Sequence, residues 1–207
     1  MKEILIGTHN RHKTREISNL LSGLPLKIRD LTEFPRVKPV REDGATLLAN
    51  AVKKSKTYGE QTGLPCLADD TGLEVEALGG EPGVTSARYA GEQCSYEDNN
   101  RKLLKSMAQI QNGKHLNRKA VFKTVMAFYD PKTRQVETRE GAIHGEILDS
   151  QRGTNGFGYD PVFFLPDQGK TLAELTLEEK NKVSHRALAL RNIKEIIRRK
   201  FFVQAGA

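Results

Sequence analysis

At 207 residues, with 37% hydrophobic and 29% charged positions, the chain has the composition of a soluble globular protein with one sizeable core. It contains no apolar run near the ~20 residues a bilayer span needs. A formal net charge of +7 and a sequence pI near 9.4 favour an anionic partner: nucleic acid, a polyphosphate or an acidic membrane face. The 6% of aromatic residues include no tryptophan and are not interleaved with the basic ones, so no stacking platform for single strands is offered.

Met1-Lys2-Glu3 leads straight into a strand instead of a long apolar signal segment, which predicts a cytoplasmic protein. The two cysteines, Cys66 and Cys94, have no metal-ligand spacing and are expected as free, buried or half-buried thiols. Length and composition predict a single domain over 1–207.

In chain order, residues 3–8 predict a first strand, and 12–22 a helix with Ile17, Leu20 and Leu21 at helical spacing. The polar turn between them, Thr8-His9-Asn10-Arg11-His12-Lys13, presents backbone N–H groups and the positive end of a helix to an anion. Thr and Asn are also ordinary helix caps, so the turn has a purely structural reading too. There is no Gly-rich phosphate loop and no dinucleotide fingerprint anywhere in the chain. A second strand is expected at 26–31 and a loop through Arg41-Glu42-Asp43-Gly44. A helix over 46–62 follows, on which Asn50 and Lys54 stand four apart and share a face.

The stretch 64–75 places two carboxylates and a hydroxyl between apolar runs. Residues 64–68 predict a short buried strand ending at Asp69-Asp70-Thr71-Gly72. Acids at the carboxyl end of a strand are candidates for a metal or a water nucleophile. An Asp-Asp-Thr-Gly turn capped by its own side chains is the structural alternative. Successive strand residues point to opposite faces, so the two aspartates are expected to have different tasks, one structural and one chemical.

Beyond it, 78–83 reads as a loop and 95–111 as a helix. Residues 120–129 and 135–139 form a hairpin around Asp130-Pro131-Lys132-Thr133, with a further strand at 142–148 whose His144 faces solvent. The glycines of 153–158 flank Phe157 and would let the backbone approach a ligand while the ring stays free to stack on it, although as an isolated feature the stretch reads as a turn. A last helix is expected over 184–200, with Ser184 as its N-cap and His185 and Arg186 in its first turn.

Five motifs, Thr8-x-Asn10-x-x-Lys13, Ala68-Asp69-Asp70-Thr71-Gly72-Leu73, Ser86-Ala87-Arg88-Tyr89-x-Gly91, Phe157-Gly158-Tyr159-Asp160-Pro161 and Lys180-Asn181-x-x-Ser184-His185-Arg186, together resemble the inosine triphosphate pyrophosphatase family over residues 4 to about 190. Thr71 stands where the family often has Ser, and Ala49 where it commonly has Glu. The second departure leaves Glu42, Asp69 and Asp70 as the acids to consider.

The resemblance implies an elongated α/β protein of two lobes, with a long central mixed sheet flanked by helices, an active-site cleft between the lobes, and a homodimeric state. It implies Mg²⁺-dependent hydrolysis of ITP, dITP and XTP to the monophosphate and pyrophosphate. The partner is then a purine triphosphate, with neither nucleic acid nor membrane involved. By the same resemblance Asp70 is the general base and, with Glu42, a Mg²⁺ ligand, while Asp69 holds the turn. Thr8, Asn10 and Lys13 receive the phosphates together with Lys54 and Lys180, and His9, Arg11, His12 and Thr71 also bind the substrate. Phe157 stacks on the purine, Gly158, Tyr159, Asp160 and Lys180 flank it, and His185 and Arg186 donate toward O6. Arg88 is either a ligand or an ion-pair partner that bridges the lobes. Two rivals stay open: a basic nucleic-acid-binding protein using Arg198, Arg199 and Lys200, and a pyrophosphatase for another base, such as that of dUTP.

Overall fold

The computed structural model describes residues 2–111 and 117–202. Its first half contains β1 (Lys2–Ile6), α1 (Arg11–Leu21), β2 (Leu26–Asp30), α2 (Leu47–Thr62), β3 (Cys66–Val75), β4 (Pro82–Gly83) and α3 (Tyr96–Gln111). There follow β5 (Lys119–Asp130), β6 (Gln135–Ile147), β7 (Phe163–Leu165), β8 (Lys170–Thr171), α4 (Leu177–Val183) and α5 (His185–Phe202). The described strands form one mixed sheet in the order β2-β1-β3-β5-β6-β7-β8, with β4 beside β3. β1 is parallel to both its neighbours, whereas β7 is antiparallel to β6 and β8. The expected α/β class is therefore what the chain adopts.

The chain divides into two compact units. One holds Met1–Asp70, Thr124–Gly141 and Arg186–Ala207, and the other Thr71–Lys123 and Ala142–His185. In the first unit, period-two alternation sorts β1 between two layers. Ile4 and Ile6, with Leu67 of β3 and Phe128 of β5, pack on Ile17 and Leu21 of α1 and Leu190, Ile193 and Ile197 of α5. Leu5 and Cys66 point the other way, against Tyr58 of α2 and Leu31. A strand covered on both faces reads as an unbroken apolar run, as Ile4-Leu5-Ile6 does. Each such side chain contributes ~1.5–3 kcal/mol by leaving water, and Leu67→Ala would cost ~2–5 kcal/mol through the cavity left in the middle of the layer.

In the second unit Leu103 and Met107 anchor α3, and Phe122, Tyr159 and Phe163 form an aromatic core. The Ser86 motif is a tie point. Ser86 Oγ accepts from Leu73 N (2.8 Å) and donates to Gly83 O (2.6 Å), while Ser86 O accepts from the Tyr159 hydroxyl (2.9 Å). Ser95 starts α3 by exchange with Asp98, its Oγ accepting from Asp98 N while Asp98 accepts from Ser95 N.

Three expectations are corrected. Asp69 and Asp70 do not end a strand, nor do they form a turn: β3 runs on to Val75, with Leu73 and Val75 buried, because both acids have buried cationic partners and need no solvent. They do lie beyond the carboxyl end of β1, whose pairing with β3 stops at Ile6 and Leu67. Residues 135–139 and 142–148 belong to one strand, β6, since Gly141 is accommodated in extended backbone. And α4 was not foreseen, although Thr176 and Glu179 form the capping box that starts it.

Candidate active site

The first unit concentrates charge where β1 feeds α1. Gly7 is required here, because a Cβ would meet Cys66 Sγ at 2.7 Å. Thr8 Oγ1 accepts from Asn10 N, and Asn10 Oδ1 accepts from His12 N (3.0 Å) and Lys13 N (3.3 Å), so Asn10 is the cap of α1. His9 meets Tyr58 edge to face, while Arg11 and His12 face solvent. Lys13, on the first turn, turns inward and places Nζ 3.0 Å from Asp69 Oδ2. Burial lowers the Lys13 pKa against the pull of Asp69.

Asp69 is wholly buried. Its Oδ2 also accepts from Arg186 Nε (3.3 Å) and NH2 (3.2 Å), and Arg186 NH1 donates to Glu16 at 2.6 Å. Burial alone would raise the Asp69 pKa, but Lys13, Arg186 and Lys54 outweigh it and hold the carboxyl well below the usual range. Asp69 thus holds no turn; it joins α1 and α5 to β3 through two cations.

Asp70 faces the other way and answers to α2. Asn50 Nδ2 donates to its Oδ2 at 3.0 Å, and Lys54 Nζ stands 3.5 Å from its Oδ1. The same ammonium lies 2.6 Å from Glu42 Oε2. Thr46 caps α2 by accepting from Ala49 N, which sets Asn50 and Lys54 one turn apart on the buried face. The two carboxylates also stand close enough to hydrogen-bond to each other. Burial and the neighbouring Glu42 raise the Asp70 pKa against the pull of Lys54 and Lys13. Glu42, more open, is desolvated too, but Lys54 pulls it below its ordinary value. Among the described residues no group of three or more His, Cys, Asp or Glu side chains is placed to hold a metal.

In the second unit the loop before β7 is locked by one carboxylate. Asp160 Oδ2 accepts from Phe157 N at 2.8 Å and pairs with Lys180 Nζ at 2.6 Å, both side chains being buried. Gly156 has φ 76°, and a Cβ there would lie 2.0 Å from that same oxygen, so only glycine allows the carboxylate to reach the Phe157 amide. Lys180 Nζ stands 5.0 Å from the centre of the half-buried Phe157 ring, which also neighbours Tyr96. Gly158 O accepts from Asn100 Nδ2 (2.9 Å), and the Tyr159 hydroxyl is spent on Ser86. The buried His185 ring lies flat on Phe122, with centroids 4.2 Å apart and an 8° tilt. Thr71 is half-buried, and Arg88 pairs with Glu92 within the same unit at 3.6 Å.

The expected residues therefore fall into two sets: Thr8, Asn10, Lys13, Glu42, Lys54, Asp70 and Arg186 in the first unit, and Phe157, Asp160, Lys180 and His185 in the second. Four side chains escaped the sequence as members of these sets. Glu16 was visible only as a carboxylate one turn after Lys13, and Asn50 only as a neighbour of Lys54. Phe122 and Tyr96 carry no local signal, since each is an aromatic in an ordinary strand or helix.

Comparison with known proteins gives a consistent picture. Residues 4–196 match the model of the Ham1 family. The chain is 50% identical over 196 residues to the dITP/XTP pyrophosphatase of Thermoanaerobacter sp. (strain X514), spanning 94% of this chain and 96% of that one. It is 48% identical over 195 residues to the dITP/XTP pyrophosphatase of Geobacter sulfurreducens, with the same coverage. Among solved structures, a HAM1 protein from Coxiella burnetii superposes with a TM-score of 0.85 at 38% identity, covering 95% of this chain and 98% of that chain. The Staphylococcus aureus Ham1 protein does so at 0.81 and 36%, with the same coverage.

Proposed function

This chain belongs to the Ham1 family, and we propose that it hydrolyses the non-standard purine nucleoside triphosphates dITP, ITP and XTP to the monophosphate and pyrophosphate. The observation that carries this reading is the Asp70, Lys54 and Glu42 cluster: a buried carboxylate whose pKa is raised, beside a cation and a second acid. Groups of this kind, in reach of basic residues at a strand-to-helix turn, suit attack of water on a phosphate.

Asp70 is the general base. It takes a proton from water as the water oxygen bonds to the α-phosphorus and the bond to the bridging oxygen of pyrophosphate breaks. Its raised pKa makes it a better proton acceptor than an ordinary aspartate. Lys54 stabilises the charged pair and, with Lys13 and the N–H groups at the start of α1, receives the phosphates; Thr8, His9, Arg11, His12 and Thr71 border them. Asp70 and Glu42 fit Mg²⁺, which takes one or two carboxylates and leaves its other positions to water and phosphate oxygens. When bound, the ion neutralises phosphate charge and makes water more acidic.

In the base-recognising set, Phe157 stacks on the purine, and Asp160 with Lys180 fixes the backbone on either side, including Gly158 and Tyr159. His185, oriented by Phe122, donates toward O6. Arg186 has its nitrogens on Asp69 and Glu16, so its part is to fix the start of α5 beside His185. Adenine carries an amino donor where hypoxanthine and xanthine carry O6. A polar site built for an acceptor rejects such a donor by ~10⁴.

We further place the whole of 1–207 in one catalytic domain, since neither compact unit is continuous in sequence and neither can be cut away intact. The family resemblance also carries a homodimer working on the cytoplasmic nucleotide pool, with no part for nucleic acid or membrane. No described helix is long and apolar enough to cross a membrane. Sedimentation of the purified protein reads the dimer directly. The activity is tested by pyrophosphate release from ITP, dITP, XTP, GTP, ATP and dUTP, with and without Mg²⁺. Turnover of the first three alone, abolished by chelator, is the expected result; preferential turnover of ATP or dUTP would overturn the assignment.

A further inference from the structure

We infer that Asn50 is a positioning residue for this reaction, one carboxamide that sets the spacing of Asp70 and Glu42. The inference rests on the reading of those two acids given above and adds a residue to it. Asn50 is 1% exposed and uses both ends of its side chain. Nδ2 donates to Asp70 Oδ2 at 3.0 Å, and Oδ1 accepts from the backbone N–H of Gly44 at 2.8 Å. The orientation of the amide is fixed by chemistry, because a carboxylate requires a donor and an N–H requires an acceptor. Gly44 lies two residues beyond Glu42, so the same group that holds one acid anchors the loop that carries the other.

A second, independent feature supports the link. A Cβ on Gly44 would stand 2.7 Å from Asn50 Oδ1 and 3.0 Å from Ala49 Cβ. The loop is therefore glycine at the point where it must come close to the amide. Neither near-isostere serves both contacts. Asp would keep an acceptor for Gly44 but oppose Asp70 with a like charge, and Leu would keep the volume but neither hydrogen bond. Groups that orient metal-binding carboxylates in this way typically govern metal affinity by ~10–100-fold.

The test compares wild type with Asn50→Ala, Asn50→Asp and Gly44→Ala. It measures Mn²⁺ affinity of the nucleotide-free protein by electron paramagnetic resonance, steady-state kcat and KM for ITP, and thermal melting. Expected are a loss of Mn²⁺ affinity of ~10-fold or more in all three variants, a fall in kcat of similar size, and a KM for ITP within about threefold of wild type. All three variants should melt below wild type, Asn50→Asp because its like charge opposes the buried Asp70. If Asn50→Ala fails to fold, Gly44→Ala decides, since it disturbs the spacing without touching either acid. Folded variants with wild-type Mn²⁺ affinity and kcat would overturn the inference. A wild-type protein that fails to turn over ITP would instead sink the reading of the substrate, and Mn²⁺ affinity would still decide the role of Asn50.

Discussion

Asp69 and Asp70 are neighbours in β3 and answer to opposite layers: Asp69 Oδ2 lies 3.0 Å from Lys13 on α1, and Asp70 Oδ1 lies 3.5 Å from Lys54 on α2. Strand alternation separates their environments, and their proton affinities move in opposite directions as a result. One acid is kept charged and spent on structure. The other has its pKa raised, by burial first and by Glu42 against the pull of Lys54 and Lys13.

Asp70→Asn should abolish pyrophosphate release while leaving the protein at least as stable as wild type. The folded pKa of Asp70 is raised, so its charged form is disfavoured by folding, and the penalty applies at pH values above its unfolded value of ~3.9. The variant should therefore melt higher than wild type at pH 7, and the difference should shrink to nothing as pH falls toward 3. Melting curves across that range, beside activity at pH 7, check both halves. A variant that is inactive because it is unfolded would contradict the division of labour.

Asp69→Asn should behave in the opposite way. The folded pKa of Asp69 is lowered, so its contribution is complete above ~3.9 and is lost as pH falls through the lower folded value. Urea midpoints of the variant should lie below those of wild type at pH 7, and the gap should close on acidification. A gap that stays constant from pH 7 to pH 3 would show that the Asp69 charge contributes nothing.

Arg186→Met removes the cation between Asp69 and Glu16 and leaves both acids buried with reduced compensation. Losing one partner of a buried pair typically costs ~3–5 kcal/mol. The denaturant midpoint should drop accordingly, and Arg186→Met combined with Glu16→Gln should recover part of the loss. Equal instability of the single and double variants would argue against the buried triad.

Lys180→Met should weaken ITP binding more than it slows turnover. The substitution strips Asp160 of its 2.6 Å partner and Phe157 of the cation beside its ring, so the loop that presents the ring loosens. The KM for ITP should rise about tenfold or more, and the preference for ITP over ATP should narrow, while kcat stays within a few-fold because neither Asp70 nor Lys54 is touched. The reverse pattern, a lost kcat with unchanged KM, would move Lys180 from base recognition to the phosphates.

Much of this was legible in the sequence because it depends on local rules. The apolar run Ile4-Leu5-Ile6, the Asn10 cap and the i, i+4 pair Asn50 and Lys54 all came out where the pattern put them. So did the opposite facing of the two aspartates. What failed was anything decided by distant partners. Two aspartates and a glycine inside a strand read as a turn until Lys13, Arg186 and Lys54 are in place to neutralise them. The single strand β6 looked like two because Gly141 is a breaker by composition and not by position. The partners of Arg186 leave no mark in the sequence either, since only the approach of α1 and β3 gives its nitrogens to Glu16 and Asp69. The Phe122 and His185 stack joins residues 63 apart by a flat ring contact that leaves no mark on either segment.

The claim at the centre of this account is that water attacks the α-phosphorus with Asp70 as base. It is tested most directly by hydrolysing ITP in H₂¹⁸O and analysing both products by mass spectrometry. The account predicts one labelled oxygen in the inosine monophosphate, an unlabelled pyrophosphate, and no turnover in the Asp70→Asn protein. Label in pyrophosphate, or release of inorganic phosphate with the diphosphate, would place the attack on another phosphorus and contradict it.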